Sequence, residues 1–181
     1  MKFYIKFLEK ISVKKYIFAF LFLFILFQLI FMFVLIPNYT LKTGNESIPD
    51  MNFLYDYEYI REIISNINKD YSSYLNVQIL DLIFPLIYFL FLSTSIFYFK
   101  KINILKYNFF LFLPLLGAIF DYLENLFIFS MIKIYPNQFN VLAFFTSYIS
   151  FIKFIFLGLS FLLILILIIF YFYKKLKKQH D

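Results

Sequence analysis

The sequence predicts an all-α fold: an integral membrane four-helix transmembrane bundle that occupies residues 1–181 as a single domain. Three observations predict it. Hydrophobic residues make up 63% of the 181 residues and the mean hydropathy is +0.81, which is far more apolar than a soluble domain. Four apolar stretches are each long enough to cross a bilayer as a helix, which takes about 20 residues. Most lysines fall in segments that would share one side of the membrane.

The four spans are predicted at about residues 16–36, 78–99, 107–132 and 148–173. The first ends at Pro37, and no small-residue cleavage site follows it, so a cleaved signal peptide is the weaker interpretation. The fourth apolar run can be traced back to Val141, which gives a helix longer than the hydrocarbon core is thick. We therefore expect its first turns to project or the helix to tilt. Pro85 and Pro114 are expected to kink or loosen their helices.

The distribution of lysines sets the predicted orientation. The basic segments contain Lys2, Lys6, Lys10, Lys14 and Lys15; Lys100, Lys101 and Lys106; and Lys174, Lys175, Lys177 and Lys178. An even number of spans places all three segments on one side, and lysine-rich segments stay in the cytoplasm. Both termini are therefore predicted to be cytoplasmic, in a bacterial inner (plasma) membrane, with the lysines at anionic headgroups of the lipid bilayer. This arrangement accounts for the net charge of +6, so no nucleic acid is expected as a partner.

The acidic loop after the first span carries a helical apolar stripe. Residues recur at steps of four and three at Phe53, Tyr57, Ile60, Ile64, Ile67, Tyr71 and Tyr74. This spacing predicts an amphipathic helix over about residues 51–68 in the first extracytoplasmic loop, with Asp50 as its N-cap. It would pack as a lid on the bundle or lie on the outer membrane face, with partner docking as the alternative. Sequons at Asn38 and Asn45 would face outward and stay unused in a bacterium.

Composition excludes several kinds of site. There is no cysteine, so there is no disulfide, thiolate nucleophile or thiolate metal site. The only histidine is His180 in the tail, so we expect no haem or histidine-ligated metal within the membrane and no cofactor. The sequence contains no nucleotide-binding loop and no Ser-His-Asp set.

The stretch GAIFDYLENLF, residues 117–127, places two carboxylates and an amide inside the third span. Asp121, Glu124 and Asn125 are three and four residues apart, so they share one helix face. Gly117 lies on the same face, where a small residue lets another helix approach closely. Charges inside a bilayer are costly and usually face the bundle interior, pair, or mark a functional path.

The second and fourth spans each add one intramembrane charge, Asp81 and Lys153. At about 1.5 Å per residue from the cytoplasmic lysines, Asp121, Glu124, Asp81 and Lys153 lie about 22, 27, 28 and 31 Å along their helices. All four thus fall within about two turns of one another in the outer half of the membrane. We predict one binding or structural polar cluster of Asp81, Tyr88, Asp121, Glu124, Asn125 and Lys153. The first span offers only Gln28 and is expected to be peripheral.

Three carboxylates face one lysine in this cluster, and like charges so close cannot all ionise without a compensating cation or water. Three functions stay open. The preferred one is a structural or accessory membrane component, in which ion pairs hold the bundle in register and a partner membrane protein is expected. The second is proton- or cation-coupled binding or transport of a small solute or lipid, through a cavity open at Asp81; transport would need a homo-oligomer. The third is a membrane-embedded enzyme that uses a carboxylate pair on a lipid or isoprenoid.

Three short motifs run from the second span to the fourth. They are DLIFPLIY at residues 81–88, PLLGAIFDYLEN at residues 114–125, and Tyr135-Pro136 followed by Thr146 and Lys153. With their FPxxY and DxxEN patterns they resemble a family of small four-span bacterial integral membrane proteins, over most of the chain from the outer loop onward. The resemblance implies a bacterial inner-membrane protein and four spans. It brings no substrate or catalytic residue with it.

Overall fold

The computed structural model describes residues 2–44, 48–49 and 52–180, and these residues form helices and connections with no strand among them. The helices are α1 (Lys2–Ile11), α2 (Lys14–Ile30), α3 (Ile36–Thr43), α4 (Tyr57–Lys69), α5 (Tyr71–Lys101), α6 (Phe112–Ile134) and α7 (Asn140–His180). A π-helical turn, Phe31–Leu35, joins α2 to α3, and a 3-10 turn, Phe109–Leu111, precedes α6. The predicted all-α class is confirmed.

Four helical segments are long and apolar enough to cross a membrane: Lys14–Lys42, Tyr71–Lys101, Phe109–Ile134 and Asn140–Lys177. Each extends beyond the predicted apolar run at one end or both. The second span begins at Tyr71 instead of near residue 78, and the fourth at Asn140 instead of 148. Hydropathy marks the part of a helix that suits lipid, whereas the backbone hydrogen bonds continue into the polar turns on either side.

The first span continues through Pro37, where the sequence predicted its end. Proline cannot donate the hydrogen bond that an α-helix needs at its position. The π-helical turn lies just before it, and the N–H of Ile36 bonds there to the carbonyl of Phe31. This wider turn shifts the hydrogen-bond register ahead of the proline. The helix therefore runs on to Thr43 and ends at Gly44, whose φ of 69° lies in the left-handed region.

Neither of the prolines in the second and third candidate spans interrupts its helix. Pro85 lies inside α5, which stays helical from end to end. Pro114 lies in the first turn of α6, where backbone N–H groups have no intrahelical partner in any case. Pro114 therefore does not loosen the third span, contrary to the expectation from the sequence.

The segment between the first two spans contains α4, which begins later than predicted. The carboxylate of Asp56 caps it by accepting a hydrogen bond of 2.8 Å from the N–H of Tyr59. The predicted cap Asp50 and first residue Met51 lie outside the described residues, as does the sequon Asn45-Glu46-Ser47. One face of α4 is buried, through Ile60, Ile63, Ile64 and Ile67. Three of these four isoleucines belong to the stripe that the sequence singled out.

The N-terminal basic segment forms α1, a helix that the sequence analysis did not predict. Leu8 is fully buried on its inner face. The hydroxyl of Tyr4 lies 3.0 Å from Oγ of Ser93 on α5 and 3.2 Å from the carbonyl oxygen of Leu111. Burial raises the pKa of Tyr4 to about 12, so the phenol stays protonated and can donate. The spacing of Tyr4, Leu8 and Ile11 at steps of four and three was the available signal.

Two apolar cores occupy the two ends of the bundle. One contains Tyr39, Ile60, Ile64, Ile67, Tyr74, Val77, Ile128, Met131 and Phe139. The other contains Leu8, Leu92, Ile96, Phe97, Leu111, Ala118, Ile164 and Leu167. The charged positions of α5, α6 and α7 fall between them in each helix. The bundle is therefore layered, with a polar layer between two apolar cores.

The helix contact between α6 and α7 is the most extensive in the structure. Gly117 permits it, because a Cβ at this position would lie 3.2 Å from Cδ2 of Leu157 on α7. The rings of Phe120 and Phe156 stack nearby at a centroid distance of 5.7 Å. The predicted close approach at Gly117 is thus confirmed, and its partner is the fourth span.

We expect Gly117→Leu to lower the melting temperature in mild detergent clearly, because overpacking a close helix contact costs about 1–3 kcal/mol. Gly158→Leu is the matched control, since a Cβ at Gly158 on α7 meets no atom within 4 Å. Equal melting temperatures for the two variants would contradict the close packing of α6 on α7.

Asp70 caps α5 and gives the fold a pH-sensitive turn. Hydrogen bonds from the hydroxyls of Ser73 and Ser72 and from the N–H of Ser73 hold the pKa of Asp70 below its ordinary value. The lowered pKa favours the ionised cap in the folded state. Its stabilisation is therefore complete above the ordinary carboxyl pKa of about 3.9 and is lost as the pH falls through the lowered one.

Amide hydrogen exchange at Ser73 measures this turn directly. We expect its protection factor to fall on acidification below about pH 4, where an ordinary carboxylate would begin to protonate. Asp70→Asn is the control, because asparagine caps a helix about as well but does not titrate. A protection factor that changes equally in both proteins would mean that the Asp70 carboxylate is not responsible.

Candidate functional site

The polar face of α6 forms the floor of the candidate site. Asp121 is 5% exposed, Glu124 0% and Asn125 3%, so all three side chains point into the bundle. Nδ2 of Asn125 donates a hydrogen bond of 3.4 Å to Oδ1 of Asp121, one turn away. The helical spacing that puts these residues on one face therefore also brings Asn125 within hydrogen-bond distance of Asp121.

Lys153 of α7 provides the positive charge. Its side chain is buried, and its ammonium group forms an ion pair with Oε2 of Glu124 and lies 3.8 Å from Oδ1 of Asp121. The ammonium also sits 5.0 Å from the centroid of the Phe154 ring. Desolvated charges need such partners, because each ion costs several kcal/mol to bury. The ion pairs connect the third and fourth spans at the level that the sequence predicted for both.

Tyr88 connects α5 to the same group. Its hydroxyl donates a hydrogen bond of 2.7 Å to Oδ2 of Asp121, and both residues are buried. Asp121 consequently receives a tyrosine hydroxyl from α5, an amide from its own helix and the ammonium of Lys153 from α7. A single carboxylate is therefore the junction of three spans.

A cavity of about 310 Å³ lies against this junction. Its polar wall holds Asp81, Asp121, Tyr88 and Lys153, and its remaining lining consists of Gln28, Phe31, Ile36, Ile48, Phe84, Phe154 and Leu157. The structure thus brings Asp81 to the same cavity as the α6–α7 pair. Asn125 instead lines a separate, largely apolar groove of about 480 Å³ with Gln78.

The first span contributes more to the site than the sequence suggested. None of the residues of α2 is buried, which fits a peripheral helix. However, Gln28 and Phe31 line the cavity, and so does Ile36 beyond the π-helical turn. Such turns are frequent at functional sites. Sequence reasoning missed Phe31 because one phenylalanine in an apolar run carries no positional signal.

The loop between the first two spans adds Ile48 to the cavity lining, and its residues 52–55, here called the roofing loop, pack on α7 next to the cavity. The sequence predicted a helical lid over these residues, whereas they are not helical. Oγ of Ser150 donates a 2.8 Å hydrogen bond to the carbonyl oxygen of Asn52, and Oγ of Ser147 accepts one of 3.0 Å from the N–H of Tyr55. The ring of Phe53 packs on Phe154 at 4.3 Å between centroids. Residues 52–55 are therefore held on α7 directly beside Lys153. Ser147 and Ser150, three residues apart within the apolar run of α7, were the available signal.

This arrangement has a definite chemical character. The cavity offers carboxylate oxygens, a phenol and an ammonium that is already paired, beside several aromatic rings. Among the residues that the structure describes, no group of three or more histidine, aspartate or glutamate side chains is arranged to hold a metal ion.

No protein-family model, no curated protein and no solved structure matches this chain. The roles of Asp81, Asp121 and Lys153 therefore rest on their geometry and charge.

Removing the buried ammonium should destabilise the fold strongly. We expect Lys153→Met to cost about 3–5 kcal/mol, because two carboxylates lose the cation between them. The double variant Lys153→Met/Glu124→Gln should recover part of that loss, since it removes one of the two charges. The melting temperature in mild detergent is the measurement.

Lys133→Met is the matched control for this series, because Lys133 is an exposed lysine on α6. Its melting temperature should stay within a degree or two of the wild type, as expected of a surface substitution. If Lys153→Met melts like Lys133→Met, the buried ion pairs do not hold α6 and α7 together.

Proposed function

We propose that this protein is a four-span inner-membrane protein that binds a small cationic amphiphile in the cavity beside Asp81. The observation that carries the proposal is the cavity of about 310 Å³ with carboxylates on one wall and aromatic rings on the others. Its volume lies at the lower end of the range of about 300–1,000 Å³ that is typical of small-molecule sites.

The proposed orientation has both termini in the cytoplasm, and contacts at one end of the bundle support it. Nζ of Lys101 donates to the carbonyl oxygens of Glu9 at 2.8 Å and Ser12 at 3.4 Å, so the first two basic segments meet. Tyr171, near the third basic segment, packs on Phe99 at 6.5 Å. All three lysine-rich segments therefore lie at the same end, and lysine-rich segments stay on the cytoplasmic side.

The charge of the site favours a cationic ligand. Asp81, Asp121 and Glu124 bring three carboxylates to the polar layer, and Lys153 brings one ammonium. If all four groups ionise, the layer carries a net charge of about −2, which is costly in a low-dielectric surrounding. A bound ammonium or guanidinium group would reduce that charge and would donate hydrogen bonds to the carboxylate oxygens.

The apolar lining favours an amphiphile over a simple ion. Phe31, Phe84 and Tyr88 form a continuous aromatic wall, with ring centroids 5.7 Å and 5.5 Å apart in successive pairs. Ring faces attract cations, and Ile36 and Leu157 complete a surface suited to a hydrocarbon chain.

A structural or accessory role is the second candidate, and the ion pair of Lys153 with Glu124 favours it. Glu124 is 0% exposed and is not part of the cavity lining. A group so placed links α6 to α7 without needing a ligand. In this role the protein would stabilise a larger membrane assembly, as a homo-oligomer or beside a partner membrane protein, and the cavity would hold only bulk lipid. The proposed membership of a family of small four-span bacterial membrane proteins is compatible with either role.

Photo-crosslinking with a decylamine that carries a diazirine on its alkyl chain tests the binding proposal. We expect the purified protein to be labelled at cavity residues such as Phe31, Phe84 and Phe154, mapped by mass spectrometry. Unmodified decylamine should compete and decanol should not. Asp81→Asn should weaken labelling by about tenfold, the equivalent of 1.4 kcal/mol of lost charge-assisted binding.

Glu62→Gln is the matched control, because Glu62 is an exposed carboxylate on α4 and its loss should leave labelling unchanged. Equal labelling by the amine probe and a diazirine-bearing decanol would overturn the cationic specificity. Labelling spread over the lipid-facing helices would leave the accessory role as the better explanation. The melting temperature of Asp81→Asn, measured in parallel, separates lost binding from lost folding.

A further inference from the structure

A second concave site lies at the other end of the bundle, away from the roofing loop. It is a groove of about 610 Å³ between the end of α5, the turn that follows it, and the last turns of α7. Its lining residues are Tyr98, Ile102, Asn103, Ile104, Tyr171, Lys174, Lys175 and Lys177. It shares no residue with the cavity beside Asp81.

The groove combines a cationic rim with an apolar floor. Lys174, Lys175 and Lys177 are exposed and no carboxylate is among the lining residues. Isoleucines and tyrosine rings form the floor below them. The ammonium of Lys174 turns back over the Phe170 ring at 5.1 Å, towards the apolar part of α7. A ligand that fits both surfaces must carry an anionic group next to an apolar chain.

The groove also stands at the level where the two spans end. The candidate spans finish at Lys101 on α5 and Lys177 on α7, and Tyr171 meets Phe99 between them. Tyrosines concentrate at membrane–water interfaces, where one end of the ring is apolar and the other is wet. A lipid lying in this leaflet would thus hold its phosphate at the height of the lysines.

Lys101, the last residue of α5, does not line the groove and contacts other groups. Nζ of Lys101 donates to two backbone carbonyls, those of Glu9 and Ser12, so it ties the α1–α2 junction to α5. The positive charge that faces the groove therefore comes from α7 alone. Lys174, Lys175 and Lys177 can therefore be substituted without removing the hydrogen bonds of Lys101 to the N-terminal segment.

We propose that this groove binds the phosphate headgroup of an anionic phospholipid, with the lysines of α7 on the phosphate and the acyl chain along Tyr98 and Tyr171. Basic pockets between membrane helices hold anionic headgroups by the same physics, and each lysine near the surface adds to the attraction. The inference rests on the membrane insertion of the proposed function and is independent of the ligand beside Asp81.

Native mass spectrometry of the full chain in mild detergent, titrated with dioleoylphosphatidylglycerol, tests this site. We expect one lipid to bind more tightly than dioleoylphosphatidylcholine. The triple variant Lys174→Gln/Lys175→Gln/Lys177→Gln should weaken phosphatidylglycerol binding by about tenfold or more. The charge-matched control is Lys2→Gln/Lys6→Gln/Lys10→Gln, which removes three exposed lysines from α1 and should change the affinity less than about twofold.

Four results would overturn the proposal. Equal weakening in both triple variants would mean that the attraction is spread over all the basic segments. Equal binding of dioleoylphosphatidylcholine, which is zwitterionic, would mean that the net charge of the headgroup does not determine the affinity. Displacement of the lipid by millimolar inorganic phosphate would assign the groove to the free ion. Failure of membrane insertion itself, seen as extraction of the protein by alkaline carbonate, would remove both this site and the proposed function, whereas failed amine labelling would leave this site intact.

Discussion

The need to neutralise the buried ammonium of Lys153 constrains the rest of this bundle. An unpaired charge at this depth would cost several kcal/mol, so α7 can dock only where the carboxylates of α6 meet it. Glu124 and Asp121 provide that meeting point. Gly117 lies one turn below Asp121, at a point where a Cβ would lie only 3.2 Å from Cδ2 of Leu157 on α7. The ion pair and the glycine thus favour the same register of α6 against α7. The ion pair attracts the two helices, and the glycine leaves room for their close contact.

In the membrane that we propose as its surrounding, the polar layer matters because apolar packing alone is a weak guide to helix position. Lipid tails are as apolar as leucine, so burying a hydrophobic side chain between helices brings little net gain over exposing it to lipid. The two apolar cores would tolerate a helix shifted by a turn, whereas the layer between them would not. A shift of α5 would separate the Tyr88 hydroxyl from Asp121, 2.7 Å away. Tyr88 therefore sets the register of the second span as Lys153 sets that of the fourth.

The sequence was informative wherever periodicity and hydropathy act directly. The amphipathic spacing of Asp121, Glu124 and Asn125 put them on one face, and distances counted from the lysines brought Lys153 to their level. Hydrogen-bond detail was not accessible in the same way. Asp50 and Asp56 are both good capping residues, and the local sequence alone does not single out Asp56 as the cap of α4. A π-helical turn that carries the first span past Pro37 depends on packing that no local pattern encodes.

The cavity was beyond sequence reasoning for a related reason. Its polar residues follow from helix periodicity, but its volume depends on how Phe31, Phe84 and Phe154 pack around it. Phenylalanine is so frequent here, at 30 residues, that none of the three stands out in the sequence. An empty volume is a property of the whole packing arrangement. The same holds for Ile48, which reaches the cavity from the loop and has no helical pattern around it.

One face of α7 links the parts of the site. Ser150 and Lys153 are three residues apart and so point the same way from the helix. Ser150 holds the roofing loop through the carbonyl of Asn52, while Lys153 holds the polar layer through Glu124. Thr146, one turn before Ser150, instead donates back to the carbonyl of Leu142, which satisfies its hydroxyl without a partner helix. Three successive polar residues on this face of α7 therefore have different roles. Thr146 bonds only within its own helix, Ser150 holds the roofing loop, and Lys153 pairs with the carboxylates of the polar layer. Because one helix carries all three residues, a ligand that displaced the ammonium of Lys153 would act on the same helix that holds the roofing loop.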